Sequence, residues 1–352
     1  MDVLVLPGDG IGPEISAATL TVLDRANERF KLGLRWQHDE IGFATLNKEG
    51  TTMPSRILER ARGCAGVILG PVSHLDYPPT DKGGVNPSGE FRVKLDLYAN
   101  IRPAKSRMGV GLTGKPVDML IFRESTEGFY ADRNMYMGIG EFMPTEDMAM
   151  AVRRVTAKCC ERIARRAFEA ARGRRKKVTA VHKVNVLRIS DALFLREVRK
   201  VAQEFPDVQL DEKLIDAMAA LILRDPTVYD VIVTTNMFGD ILSDEASELS
   251  GSLGLAGSVN AGDDLCVAQA QHGSAPDIAG KGIANPTSLI LSAGMMLDWM
   301  GRRHNSTALT SAAAAIERAI DEALQSPSTR TRDLQGQLGT VDFAKLIADK
   351  LA

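Results

Sequence analysis

Residues 229–245 read YDVIVTTNMFGDILSDE, and no other stretch says as much about the expected fold. The apolar run 231–233 is typical of a buried strand, and a turn and a helix follow it. The helix carries Asp240 and Asp244, and side chains four residues apart lie on the same helix face. The segment therefore predicts a βα unit of an α/β protein, with two carboxylates side by side at its end.

A third acid, Asp216, lies in the apolar stretch LIDAMAALIL, where a carboxylate is out of place. Three carboxylates that converge at the end of a strand suit a hard cation such as Mg²⁺ or Mn²⁺, because both prefer oxygen ligands. The alternative is a solvated helix face on which the helix dipole favours an acid near the N-terminus. These residues alone leave both interpretations open.

Composition limits the classes of protein to consider. The chain has 352 residues, 44% apolar and 25% charged, which is typical of a globular protein of two domains. A net charge of −2 provides no field that attracts nucleic acid or a membrane, so neither is an expected partner. The four cysteines show no CxxC spacing, and the chain shows no targeting segment or bilayer-length apolar stretch. We therefore expect a cytoplasmic protein.

Strand-like and helix-like segments alternate along the chain, which predicts sheets flanked by helices. Strands are predicted at 3–6, 67–69, 119–122, 178–181 and 231–234, and helices at about 13–26, 145–172, 189–204, 240–249, 286–302 and 308–325. Residues 71–91 are rich in proline and glycine and predict a long functional loop. Residues 129–145 break the alternation with methionine and aromatic residues, which suit an irregular arm or hairpin that contacts a partner.

Five further side chains stand where predicted elements end. Arg92, Arg102 and Arg123 could bind the carboxylates of an anionic substrate, because a guanidinium group binds a carboxylate through two parallel hydrogen bonds. Lys183 follows a strand, where a lysine beside a metal can act as a base, and Tyr130 could deliver a proton. Taken singly, each of these residues is more often a surface ion pair or a packing group.

The segment HGSAPDIAGKGIANP (272–286) predicts a loop whose small residues let a flat ring lie against the backbone. Asp277 could accept hydrogen bonds from ribose hydroxyls, as acids do in sites that favour NAD over NADP. The segment PGDGIGPE lacks the glycine spacing of a dinucleotide fingerprint, so a Rossmann domain is not predicted.

Six segments resemble, in order and over nearly the whole chain, the NAD(P)-dependent β-decarboxylating dehydrogenases, which are the isocitrate/isopropylmalate dehydrogenase family. They are PGDGIGPE (7–14), LDLYANIRP (95–103), RESTEGFY (123–130), HKVNVLR (182–188), NMFGDILSDEAS (236–247) and HGSAPDIAGKGIANP (272–286). The resemblance implies a two-domain, non-Rossmann α/β fold. Residues 1–98 with 252–352 would form the large cofactor-binding domain, and residues 99–251 the small dimerisation and metal/substrate domain. The arm at about 129–145 would clasp a second copy, giving a homodimer with shared active sites.

The resemblance also implies a role for each candidate residue. Arg92, Arg102 and Arg123 would bind the substrate's carboxylates, while Asp240 and Asp244 would hold Mg²⁺ or Mn²⁺ together with a partner's Asp216. Lys183, also from the partner, would take the substrate's hydroxyl proton as hydride passes to NAD, and Tyr130 would help to protonate the enol carbon after CO₂ leaves. The residues expected to contact NAD are Asn185, beside the nicotinamide, and, along the adenosine half, His272, Gly273, Ser274, Ala275, Asp277, Ile278 and Asn285.

The loop before Arg92 bears on the substrate. Isopropylmalate enzymes usually place leucines there, whereas this chain has Asn86 and Ser88, the residue types of isocitrate enzymes in exchanged order. Burying an isopropyl group beside them would leave polar atoms unpaired, at about 1–3 kcal/mol each. We expect isocitrate, homoisocitrate or a D-malate-like acid. The alternatives are 3-isopropylmalate, the substrate in leucine biosynthesis, for which Phe91 and Val85 could supply apolar cover, and tartrate.

Two rival functions belong to other classes. A non-catalytic regulatory subunit would have lost the base or the metal-binding acids, all of which are present here. A zinc enzyme for a phosphorylated hydroxy-amino acid would need converging histidines, and none of the five stands in a ligand-spaced pair. One departure from the family concerns Gln269-Ala270-Gln271, where relatives commonly have Glu-Pro-Val or Glu-Ala-Thr, and it leaves details of the cofactor loop open.

Overall fold

The structure is a computed structural model that describes residues 1–107, 110 and 114–351. The strands are β1 (Asp2–Leu6), β2 (Arg35–His38), β3 (Gly66–Leu69), β4 (Ala99–Lys105), β5 (Asp118–Glu124), β6 (Glu141–Thr145), β7 (Met148–Ala151), β8 (Lys177–His182), β9 (Gln209–Leu214), β10 (Val231–Thr234), β11 (Val259–Ala261) and β12 (Cys266–Gln269). The α-helices are α1 (Gly12–Phe30), α2 (Phe43–Glu49), α3 (Ser55–Arg62), α4 (Pro87–Lys94), α5 (Ala157–Arg172), α6 (Ser190–Ala202), α7 (Ile215–Arg224), α8 (Asn236–Ser250), α9 (Thr287–Arg303), α10 (Thr307–Ala323) and α11 (Thr340–Lys350). The predicted α/β class is confirmed. In the described part of the chain, no helix has the length and apolar character needed to cross a bilayer.

The described residues separate into two compact units. The first contains residues 1–95 and 251–351 together with Arg107 and Val110, and the second contains residues 96–106 and 114–250. In the first unit the strands lie in the order β2–β1–β3–β12–β11, parallel except for the pair β11 and β12. Helices α1, α9, α10 and α11 pack on one another in this unit. The assignment of the two units to cofactor binding and to dimerisation stays a prediction.

The second unit is built on the strand order β4–β5–β10–β8–β9, parallel except for the pair β4 and β5. Successive residues of β10 point to opposite faces, as in any strand. Val231 and Val233 pack into a core with α5 and α6, whereas Ile232 packs into a second core with α7 and α8. Helices therefore cover both faces of this strand, which explains its unbroken apolar sequence. Strands β5, β10 and β8 are parallel, so they end at one edge.

The predicted helix at 145–172 is wrong in its first half. Residues 141–151 form the antiparallel hairpin β6–β7, in which every residue is exposed, and α5 begins only at Ala157. Thr156 caps α5, because its side-chain oxygen accepts a hydrogen bond from the Cys159 backbone N–H at 3.3 Å. Thr145 pairs with Met148 and Phe142 with Met150 across the hairpin, so this segment has the backbone of paired strands and not that of a helix. The predicted arm thus contains a hairpin that reaches beyond residue 145.

The predicted loop at 71–91 is also shorter than expected, since α4 begins at Pro87. The side-chain oxygen of Asn86 caps this helix by accepting from the backbone N–H groups of Ser88 and Gly89, at 3.1 and 3.4 Å. Asparagine at the cap followed by proline at the first helical position is a recognised start signal. This helix places Ser88 and Arg92 four residues apart, on one face.

Candidate active site

The end of β5 and the start of α8 lie unusually close together. A Cβ atom on Gly239 would lie 2.7 Å from the Cβ of Arg123, so any larger residue would push the helix off the strand. The Nε of Arg123 donates to the side-chain oxygen of Asn236 at 2.8 Å, and the Asn236 amide donates to the Glu127 carbonyl at 2.7 Å. The motif NMFGD therefore serves to dock α8 against a buried arginine.

This docking assembles five of the predicted site residues in the second unit. Asp240 accepts hydrogen bonds from both Arg123 and Tyr130, and its Oδ1 lies 3.2 Å from the Nη1 of Arg102. The Oδ1 of Asp244 lies 3.2 Å from the same Nη1 of Arg102. Arg123 also donates to the Tyr130 hydroxyl at 2.7 Å. The predicted face with two carboxylates thus meets two arginines and a tyrosine, which we call the carboxylate cluster.

Arg102 is a buried cation, 8% exposed, that contacts both acids. Burial, followed by the nearby charge of Arg123, lowers the pKa of Arg102 to about 10, so the guanidinium stays protonated at neutral pH. Its Nη1 also donates to the Ser243 hydroxyl at 2.7 Å. Its Nε is buried and has no hydrogen-bond partner in the described part of the chain. A buried donor without a partner is costly, and an anionic ligand could satisfy it.

The two acids of the cluster suit a divalent cation as part of its ligand set. The side chains of Asp240 and Asp244 are 37% and 52% exposed, and the Oδ1 of each lies 3.2 Å from the Nη1 of Arg102. A metal ion could bind the same two carboxylates. Carboxylate oxygens are the donors that Mg²⁺ and Mn²⁺ prefer. Within the described residues, no three histidine, cysteine, aspartate or glutamate side chains gather closely enough to hold a metal. One chain therefore supplies two of the three predicted carboxylates at this point.

The predicted base and the third acid form a pair of their own. The Nζ of Lys183, just beyond β8, donates to the Oδ1 of Asp216 at 2.6 Å. This hydrogen bond is the main reason that the pKa of Asp216 lies below its usual value. Asp216 stands in the first turn of α7 and is 63% exposed, so it could face a second chain.

Sequence reasoning missed the residue that holds Lys183 in place. The carboxylate of Asp191, in the first turn of α6, accepts from the Lys183 backbone N–H and from Arg153. Arg153 also donates to the hydroxyl of Thr235, directly before α8, at 3.0 Å. Asp191 is fully buried and Arg153 is 7% exposed. A buried ion pair thus connects the lysine segment to the helix that carries the carboxylate cluster.

Replacing Asp191 with alanine is expected to lower the free energy of unfolding by about 3–5 kcal/mol, because it leaves the charge of Arg153 buried without its partner. Urea unfolding of the purified protein at neutral pH measures this loss. The matched control is Asp207→Ala, which breaks a surface pair with Arg172 that is 3.0 Å long and 48% and 39% exposed. Equal losses in the two variants would show that the Asp191 pair contributes no more than a surface contact.

In the first unit, α4 presents Ser88 and Arg92 on one face. The Arg92 Nε donates to the side-chain oxygen of Asn260 at 3.0 Å, and the Ser88 hydroxyl accepts from Gln269 at 2.7 Å. The side-chain oxygen of Asn86 accepts the two backbone hydrogen bonds that cap α4. Phe91 is 1% exposed and packs in the interior.

The first unit also contains a cavity of about 250 Å³. Its lining residues are Ile11, Gly254, His272, Gly273, Ala275, Ile278, Ile283, Ala284, Asn285 and Asp333. Five of the predicted cofactor residues are among them. Ser274 is buried and does not line the cavity, and its hydroxyl lies 2.7 Å from that of Ser73, while Asp277 is exposed on the turn that follows. Asn185, the remaining predicted cofactor residue, lies in the second unit.

The cavity suits a flat, partly polar ring. The Nδ1 of His272 donates to the Gly273 carbonyl at 2.9 Å, so its Nε2 is an acceptor, and Nε2 is buried without a partner in the described residues. Burial lowers the pKa of His272, which keeps the imidazole neutral at pH 7. Asp333, which accepts from Asn285 at 2.9 Å, was missed because nothing in its sequence context marks it.

The second unit thus brings two arginines, a tyrosine and two acids together, and the first unit contains a cavity of its own. The sequence matches the family model described as isocitrate/isopropylmalate dehydrogenase over residues 2–347. The chain belongs to the isocitrate/isopropylmalate dehydrogenase family, and is therefore a dehydrogenase of the oxidative-decarboxylating class. The resemblance inferred from the six segments is confirmed.

Three similar proteins illustrate the range of the family. The chain is 40% identical to a 3-isopropylmalate/3-methylmalate dehydrogenase of Methanocaldococcus jannaschii, with 99% of this chain and 98% of that protein covered. It is 41% identical to an isocitrate/homoisocitrate dehydrogenase of Thermus thermophilus, with the same coverage. A solved structure of isocitrate dehydrogenase from Methylococcus capsulatus is similar with a TM-score of 0.87, at 38% identity and over 99% of each chain. The predicted two-domain family fold is thus confirmed as a fold class.

Proposed function

We propose that this chain catalyses the metal-dependent oxidative decarboxylation of a 2-hydroxy acid that bears a 3-carboxylate, with NAD as the hydride acceptor. The carboxylate cluster carries the proposal, since Arg102, Arg123, Tyr130, Asp240 and Asp244 meet at one point. Guanidinium groups match the carboxylates of such a substrate, and the acids match a divalent cation. A regulatory subunit without activity would have no need of a lysine positioned by a buried ion pair.

The two proton transfers of the proposed reaction are assigned to two different residues. Arg102 and Arg123 bind and orient the substrate's carboxylates, and Lys183 of the partner subunit takes the proton from the 2-hydroxyl as hydride leaves C2. After CO₂ departs from C3, Tyr130 supplies a proton to that carbon, with its hydroxyl held between Arg123 and Asp240. Asp240 and Asp244, with Asp216 of the partner subunit, would hold Mg²⁺ or Mn²⁺, which would supply Lewis-acid stabilisation of the negative charge that develops on the substrate.

The site is proposed to be shared between the subunits of a homodimer. Apolar side chains are exposed along the arm and its hairpin, where a monomer would leave them in water: Tyr136, Met137, Ile139, Phe142, Met143, Met148 and Met150. A patch of this kind is typical of a protein interface. Among the residues that the structure describes, no third acid joins Asp240 and Asp244, so a second chain would bring the third carboxylate.

NAD is proposed to bind with its adenosine half in the cavity lined by His272, Ile278 and Asn285. The exposed carboxylate of Asp277 is available to accept hydrogen bonds from ribose hydroxyls and would repel a 2′-phosphate. NAD is therefore expected to be preferred over NADP.

The proposed substrate is a tricarboxylate such as isocitrate or homoisocitrate, or a small D-malate-like acid. Ser88 presents a hydroxyl on the same helix face as Arg92. Phe91 is buried, so it cannot supply the apolar cover that an isopropyl group needs. The alternative substrate, 3-isopropylmalate, draws support from the similar M. jannaschii enzyme of that name.

A steady-state panel tests the proposed function. NADH or NADPH formation is measured with Mn²⁺ and isocitrate, homoisocitrate, D-malate, tartrate or 3-isopropylmalate. We expect kcat/KM to be highest for a tricarboxylate or D-malate with NAD, and about tenfold or more lower for 3-isopropylmalate, because its isopropyl group leaves polar atoms unpaired. Highest activity on 3-isopropylmalate would refute the substrate assignment, and no reduced cofactor with any acid would favour a regulatory subunit.

A further inference from the structure

The two peptide groups on either side of Lys183 are both held by hydrogen bonds. In the preceding group, the Lys183 N–H donates to the buried carboxylate of Asp191. In the following group, the Lys183 carbonyl accepts from the N–H groups of Val186 and Leu187, at 3.0 and 2.8 Å. Because each peptide group is planar, these contacts set φ and ψ at Lys183 and hence the direction in which its side chain leaves the backbone.

The N–H of that following peptide group has a partner of a different kind. It belongs to Val184 and donates to the Nδ1 atom of His182 at 3.2 Å. The imidazole therefore reaches past Lys183 and binds the backbone on its far side. Asparagine and aspartate form the same link to an N–H two residues on, and it replaces regular backbone hydrogen bonding. Strand β8 accordingly ends at His182.

This contact determines the form of the imidazole ring. A backbone N–H can only donate, so Nδ1 of His182 must offer a lone pair, and the ring proton lies on Nε2. His182 is 5% exposed, and burial lowers the pKa of its imidazole, which keeps the ring neutral at pH 7. The charges of Glu212 on β9 and Asp191 on α6 oppose this shift without reversing it, and that of Arg199 on α6 adds to it.

We propose that His182 is a positioning residue for the proposed base, because its neutral imidazole holds the peptide that follows Lys183 and so directs the lysine amine. The inference rests on the proposed function, in which that amine takes the proton of the substrate's 2-hydroxyl. A Val184 N–H without this acceptor would turn towards another one. The Lys183 carbonyl lies in the same plane and would turn with it.

The position of the lysine amine is sensitive to such a turn. Its Nζ donates to the Oδ1 of Asp216 at 2.6 Å, so the side chain of Lys183 has a defined direction. Lysine carries its amine on a flexible four-carbon stem, and a small rotation at the backbone becomes a larger displacement at Nζ. A reacting group misplaced by about 1 Å can cost about 100-fold in rate.

The test compares two substitutions of nearly the same shape. Leucine and asparagine both branch at Cγ, but only asparagine offers an oxygen to the Val184 N–H. With saturating Mn²⁺, NAD and the best acid of the panel, His182→Leu is expected to lower kcat by about 10- to 100-fold. The KM for the acid should stay within a factor of about two, since a misplaced base affects the transition state alone. His182→Asn should keep kcat within a factor of about three.

Thermal midpoints report whether both variants are folded. A folded His182→Leu enzyme with wild-type kcat overturns the proposal. An equal loss of kcat in both variants also overturns it, because the acceptor would then be irrelevant. Should the leucine variant not fold, His182→Phe fills the volume of the ring without an acceptor, and the same two outcomes decide.

The background Lys183→Met tests whether His182 acts through the lysine. There, His182→Leu should change the residual kcat by less than about threefold, as expected of two residues that share one function. An undiminished loss would show that His182 acts on another part of the site, which overturns the proposal. No turnover of any acid by the wild-type enzyme, or wild-type kcat in Lys183→Met alone, refutes the proposed function and this inference with it.

Discussion

Replacing Lys183 with methionine is expected to lower kcat by about 10²–10⁴-fold, the usual contribution of a positioned general base. Methionine keeps the length of the side chain but cannot accept the proton of the substrate's 2-hydroxyl. The KM should change much less, since the substrate's carboxylates are bound by arginines. Steady-state NADH formation with saturating Mn²⁺, NAD and the best substrate of the panel measures both constants.

The control for this variant is Lys200→Met. Lys200 belongs to the same unit, stands on α6 and forms an exposed ion pair with Glu161 at 3.2 Å. It has the same charge as Lys183 and no proposed part in the chemistry, so kcat should stay within a factor of about two. A Lys183→Met enzyme as active as this control would remove Lys183 from the mechanism.

Replacing Asp240 with asparagine is expected to weaken Mn²⁺ binding by more than about 100-fold, because even residues behind the direct ligands cost 10–100-fold. Asp240 accepts from Arg102, Arg123 and Tyr130 at once, and an amide would turn an NH₂ group against one of these donors. The kcat should fall in parallel. Mn²⁺ titration followed by electron paramagnetic resonance, with and without isocitrate, reads binding independently of turnover.

The control for this variant is Asp298→Asn on α9 of the first unit. Asp298 is 38% exposed and pairs with Arg302 at 2.7 Å, so its change removes one negative charge from a residue that has no proposed part in the site. Mn²⁺ affinity should be unaltered in the control, and the thermal midpoints of both variants report whether they are folded. Wild-type Mn²⁺ affinity in a folded Asp240→Asn enzyme would exclude Asp240 as a ligand.

The parts of the fold that could be predicted are those in which local pattern and tertiary environment agree. The apolar run 231–233 predicted a buried strand, and it is one because cores pack on both of its faces. Asp240 and Asp244 were expected side by side from their spacing, and both meet Arg102. Helix α8 nevertheless begins four residues before the predicted start, because Asn236 and Gly239 are fixed by contacts with Arg123 that lie far away in sequence.

The hairpin β6–β7 and the supporting residues could not be predicted in the same way. All residues of the hairpin are exposed, so it does not pack against a hydrophobic core of the same chain. Its sequence therefore need not alternate apolar and polar residues. Asp191 resembles an ordinary first-turn acid of a helix, and only the fold brings Arg153 and the Lys183 backbone to it.

A mixed dimer tests the central claim, that one site combines Asp240 of one chain with Lys183 of the other. Two differently tagged copies are coexpressed, one carrying Asp240→Asn and the other Lys183→Met, and dimers holding both tags are purified. With shared sites, one site of the mixed dimer carries both changes and the other carries none, so about half of the wild-type kcat per dimer should return. A mixed dimer as inactive as either parent would contradict the account, because each chain would then use its own lysine with its own aspartate.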